Sequence, residues 1–149
     1  MSLFTSIREM PFREKTAWAM AALLTAGGIF YFDKVVSLSR ALGETAPPII
    51  GFVIAYVVLI IIGSIILMSA LAASSAKEAE APADERERQI QDKAGHWSGY
   101  MLAFAAFGAL LNFSVNGDGN MLFHLVFAGL MVSQIAEYVF QIILYRRGV

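Results

Sequence analysis

Apolar residues fill four blocks of the chain, at about 16–32, 47–73, 97–115 and 121–145, and polar residues are confined to the stretches between them. A helix rising about 1.5 Å per residue needs about 20 such residues to cross roughly 30 Å of hydrocarbon. Each block is therefore predicted to be a membrane span. The second, PPIIGFVIAYVVLIIIGSIILMSALAA, carries no charge. The third is interrupted by Gly99, Gly108, Asn112 and Ser114, but the turn NGDGN at 116–120 returns the chain at once and makes a helical hairpin. The expected fold is all-α: an integral membrane four-helix bundle of two helical hairpins, one transmembrane domain over residues 1–149.

The polar stretches add detail. Leu3, Phe4, Ile7 and Phe12 alternate with Arg8, Glu9, Arg13 and Glu14, which predicts a short interfacial helix broken at Pro11. Val35, Val36, Leu38 and Leu42 predict a second surface helix over residues 33–46, ended by Gly43, with Pro47–Pro48 starting the second span. In the loop 74–96, SSAKEAEAPA reads as flexible linker. Asp84 then stands three residues before Glu87, the spacing of a capping box, so a lead-in helix should run from there into the third span. Glu85 with Gln89 and Arg88 with Asp92 are four apart and support it.

Charge sets the direction. Nine Lys and Arg precede the first span, follow the second, or follow the fourth; only Lys34 and Arg40 lie on the other side. By the positive-inside rule both termini and the middle loop face the cytoplasm, with Trp18 and Trp97 at the inner headgroup level. The first span ends in Phe30, Tyr31, Phe32 and Asp33 without a small-residue cleavage site, so it is expected to be retained rather than removed as a signal peptide. Composition agrees with lipid as solvent. Hydrophobic residues make up 58% and charged residues 15%, against about 25% charged in a soluble domain. The net charge of −1 gives no bulk attraction to nucleic acid.

Little chemistry is on offer. There is no cysteine, and no phosphate-cradling glycine loop or hydrolase motif appears. His96 and His124 fall near opposite ends of their spans, too far apart to share a metal. No enzyme activity and no cofactor is expected. The ionisable residue deepest in a span is Glu137, eight or nine residues before Arg146 and so roughly 12–14 Å inside. Helical phase groups it with Gln134 and Gln141, with Tyr138 and Tyr145 extending the stripe, and puts His124 nearly opposite. Thr25 and Ser64 lie at comparable depth as hydrogen-bond partners. Such a stripe serves either interhelical bonding or a proton- or cation-coupled site. Two rows of small residues, Gly95, Gly99, Ala103 and Ala106 on the third span and Ala22, Ala26 and Gly27 on the first, are suited to tight packing within one chain or in a homodimer.

Three segments, PFREKTAW at 11–18, DERERQIQDKAGHWSGYML at 84–102 and QIILYRRG at 141–148, keep fixed places relative to the spans. In them the chain resembles a family of small uncharacterised bacterial four-span membrane proteins with FREK[ST]AW, DER[DE]xxI and YRRG motifs. The resemblance implies a bacterial cytoplasmic (inner) membrane location. Members are often encoded beside small helix-turn-helix regulators, which implies a cytoplasmic regulatory protein as partner. Two functions are expected to compete. One is a regulator or adaptor docking a soluble partner through Asp84, Arg86, Arg88, Asp92 and Lys93, on one inner face with the N-terminal surface helix and Arg146–Arg147. The other is a small proton-coupled transporter or permease using Glu137.

Overall fold

The computed structural model describes residues 10–148, and among these every regular element is a helix. Four are long: α1 (Phe12–Leu42), α2 (Ile50–Ser74), α4 (Glu85–Asn116) and α5 (Gly119–Arg147), with the short α3 (Ala76–Glu80) between α2 and α4. Each long helix is long and apolar enough to cross a membrane, which makes the chain a multi-pass membrane protein by length and composition.

Two of the predicted surface helices take another form. Residues 33–42 are the last turns of α1, because nothing before Gly43 breaks the helix; there the chain turns left-handed at φ 73°. Most of the N-terminal interfacial helix lies outside the described residues, but Pro11 is the N-cap of α1, so Phe12 to Lys15 form the first turn of the span itself. The second span starts later than expected, at Ile50 with Ile49 as its cap, since a residue before proline is held extended. The linker contains α3, whose sequence AKEAE is made of good helix formers. The lead-in helix is continuous with the third span as α4, and a left-handed Gly117 and the Asp118 cap make the hairpin to α5.

In space the helices run α2–α1–α5–α4, with α1 and α5 as the central pair and no substantial contact joining α2 to α4. One core is aromatic: Tyr31, Val35, Tyr56 and Met131 with Phe52 and Phe127 against them. Tyr31 meets Phe127 edge-on at 4.8 Å between ring centroids, a favoured aromatic geometry. The other is small: Ala17 and Ala21 of α1 against Ile142 and Tyr138 of α5.

The expected small-residue seams form only in part, at Gly27. On α4 the buried row is Ile90, Ala94, Ser98 and Ala109, while Gly99 and Ala103 are exposed and a Cβ on Gly95 or Gly99 would meet nothing. On α1, Ala22 and Ala26 are exposed and the neighbouring row of Ala17, Ala21, Leu24 and Gly27 is buried. Close approach occurs at the expected Gly27, where a Cβ would stand 2.8 Å from the Ile60 side chain of α2, and also at Gly129, where it would stand 2.9 Å from that of Ala105 and bring α5 and α4 together.

Candidate functional site

Alternating helix directions put residues 11–15, 75–88 and 145–148 at one end of the bundle, the charged end. The connections 43–49 and 117–118 lie at the other, the turn end.

The charged end is built around the start of α4. The Asp84 carboxylate accepts from the Glu87 backbone N–H at 2.7 Å, and the Glu87 carboxylate accepts from the Asp84 N–H at 3.2 Å, completing the capping box. The same Glu87 oxygen takes the Arg13 Nε–H at 2.9 Å, and the Arg13 guanidinium also reaches the Ala81 carbonyl at 3.5 Å. The next residue, Glu14, is 7% exposed and accepts from Arg146 Nε at 3.4 Å. The Arg146 guanidinium lies over the Trp18 ring at 5.4 Å, a cation–π contact. Arg86 donates to the Tyr145 carbonyl at 3.3 Å. Segments 11–15, 81–87 and 145–146 are thereby fastened into one surface. A cavity of about 430 Å³ opens between Phe12, Arg13, Glu78, Pro82 and Glu87.

The predicted docking residues divide. Asp84 is occupied as the cap and Arg86 reaches across to the end of α5. Arg88, Asp92 and Lys93 are exposed along α4. Arg13, Glu14 and Arg146 belong to segments the sequence places on this face, but their pairing with Glu87 and with each other is not marked in the sequence. They sit at helix ends and touch only after α1, α4 and α5 assemble.

The turn end is tied by hydrogen bonds rather than ion pairs. His124 is 5% exposed, and its Nε2 lies 2.9 Å from the Ala46 carbonyl, so this nitrogen carries a proton and donates. Its Nδ1 is 3.4 Å from the Tyr31 hydroxyl, which donates to it when the ring is neutral. The Ala46 N–H donates to the Ser39 hydroxyl at 3.0 Å, and that hydroxyl donates to the Val35 carbonyl at 2.8 Å. The Asn120 amide reaches the Thr45 carbonyl at 3.3 Å. Connection 43–49 is thus tied to both central helices. Asp118 caps α5 by accepting the Met121 N–H at 3.0 Å. That bond, with the Thr45 hydroxyl second, holds its carboxyl below the usual carboxylate range.

The intramembrane stripe is not gathered into one site. Gln141 is buried, Glu137 and Tyr138 are half-buried, and Gln134 is exposed. Tyr138 packs on the small core. The expected hydrogen bonds from Thr25 and Ser64 to Glu137 do not form. Each hydroxyl donates to its own helix, to the Ala21 carbonyl at 2.7 Å and the Ile61 carbonyl at 2.8 Å, the partner that is always within reach in a helix. The cavities of about 540, 430 and 420 Å³ do not include Glu137 in their walls. Among the described residues no group of three His, Asp or Glu side chains is placed to hold a metal ion.

Searches of family models, curated proteins and solved structures find no match to this chain.

Proposed function

We propose that this protein is a non-enzymatic regulator or adaptor of the bacterial cytoplasmic membrane, with its charged end on the cytoplasmic side docking a soluble regulatory protein. One observation carries this reading: segments far apart in sequence are fastened by Arg13–Glu87, Glu14–Arg146 and Arg86–Tyr145 into a single face, beside which Arg88, Asp92 and Lys93 stand exposed. Fixing a surface before binding lowers the ordering cost of association. The excess of Lys and Arg at this end supports the cytoplasmic orientation. Mixed signs along α4 suit a protein surface of complementary charge better than an anionic lipid, which selects clustered cations. Reversing Arg88 and Lys93 to Glu leaves the fastening contacts in place. It should abolish capture of a helix-turn-helix regulator of the kind the resemblance implies, by the detergent-solubilised chain, without changing membrane insertion. Capture at the wild-type level would remove the proposal.

A second reading rests on Glu137. It is half-buried in α5 and makes no hydrogen bond or ion pair among the described residues. On this reading the protein is a proton-coupled transporter, and Glu137→Gln eliminates substrate-driven proton movement in proteoliposomes. Transport by Glu137→Gln at the wild-type rate would dispose of it.

A further inference from the structure

A second cavity lies at the turn end, away from the docking face. It is a cleft of about 540 Å³ between the last turns of α1 and the first turns of α5, within the range of about 300–1,000 Å³ usual for small-molecule sites. Its walls are Phe32, Val36, Leu125 and Ala128, and its rim carries Arg40 and Glu44. It opens to the surface, since Val36 is 42% and Met121 37% exposed.

Depth divides the cleft chemically. Arg40 and Glu44 stand at and just past the end of a 31-residue helix. At about 1.5 Å per residue that helix is longer than the hydrocarbon layer, and Phe32 lies about 12 Å below Arg40. Charge is therefore at the headgroup level, with an apolar slot directly beneath it. The two rim charges make no ion pair with each other or with another described residue. An amphiphile that satisfies both must offer an anion to the guanidinium and a cation with N–H donors to the carboxylate, and an alkyl chain to the slot.

We infer that this cleft binds one zwitterionic phospholipid with a primary ammonium headgroup: phosphate on Arg40, ammonium on Glu44, and the upper part of one acyl chain between Val36 and Ala128. A phosphatidylglycerol offers the phosphate but leaves Glu44 facing a hydroxyl. A phosphatidylcholine carries positive charge but has no N–H to donate.

Native mass spectrometry of the full chain, delipidated in detergent and mixed with phosphatidylethanolamine, phosphatidylglycerol or phosphatidylcholine of one acyl composition, tests this. A single phosphatidylethanolamine should be retained about tenfold more strongly than either competitor, which corresponds to about 1.4 kcal/mol. Val36→Trp fills the slot from an exposed position and should remove the adduct. Ala128→Phe fills it from the opposite wall and should do the same, guarding against misfolding of either variant. Glu44→Lys should shift retention toward phosphatidylglycerol. Equal retention of the three lipids by the wild type, a wild-type preference for phosphatidylglycerol, or an adduct that survives both filling variants would each overturn the assignment.

Discussion

The two ends of the bundle are closed by different physics. At the turn end, connection 43–49 is held mainly by buried hydrogen bonds, His124 on the Ala46 carbonyl, Tyr31 on His124 and Ser39 on the Ala46 N–H, with the Asp118 carboxylate on Thr45 beside them. At the charged end the ties are ionic and mostly half-exposed, as at Arg13–Glu87 with side chains 31% and 21% exposed. A buried hydrogen bond is expensive to leave unmade, whereas a partly solvated ion pair contributes about 0–1 kcal/mol and yields to salt. The turn end is therefore built to stay shut. The charged end is built to hold a shape that water, salt or another charged surface can compete with, a property suited to docking.

Substitutions can break that contrast at its strongest point first. Tyr31 is 1% exposed and joins the aromatic core to the His124 network. Tyr31→Ala should cost about 3–5 kcal/mol, read as a lower midpoint in detergent-denaturant unfolding with little dependence on salt. At the charged end, Glu14→Gln keeps the volume but removes the charge facing Arg146. The expected loss is about 0–1 kcal/mol, the range for a partly solvated ion pair. Unlike the Tyr31 effect, it should shrink as sodium chloride is raised toward 1 M. The smallest effect concerns Asp118. Its folded pKa lies below the unfolded value, so its stabilising contribution is complete above the ordinary carboxylate range. It should be lost as pH falls through the depressed folded pKa. Wild type should lose stability in that acid window relative to Asp118→Asn, with no difference in slope at neutral pH.

Features decided within a few residues were legible in the chain. The Asp84–Glu87 capping box, the stop at Gly43 and the Asn116–Asn120 turn each depend on a short stretch, and the structure forms all three. The apolar blocks were legible because lipid demands length and hydrophobicity from any span. Which face of a span turns inward was not. In lipid both faces are apolar, so the row of Gly95, Gly99 and Ala103 looks as suitable as the neighbouring Ala94 and Ser98 that packs. The site contacts were hidden for another reason: Arg13 and Glu87 are 74 positions apart and His124 and Ala46 78 apart, and nothing local marks them as partners. Continuity of α1 through residues 33–42 was also missed, because polar residues past a span look the same whether they turn along the surface or continue upright.

The central claim is that four spans carry both described ends of the chain and the α3 connection to one side, and the Gly43–Ile49 and Gly117–Asp118 connections to the other. The chain has no cysteine, so single thiols can be placed without background at Glu80, Gly148 and Glu44. Labelling with an impermeant maleimide, on cells with a permeabilised outer layer and on inverted membrane vesicles, reads the side of each. Glu44→Cys should react only from outside, and Glu80→Cys and Gly148→Cys only in inverted vesicles. Reaction of Gly148→Cys from the same side as Glu44→Cys would contradict the account.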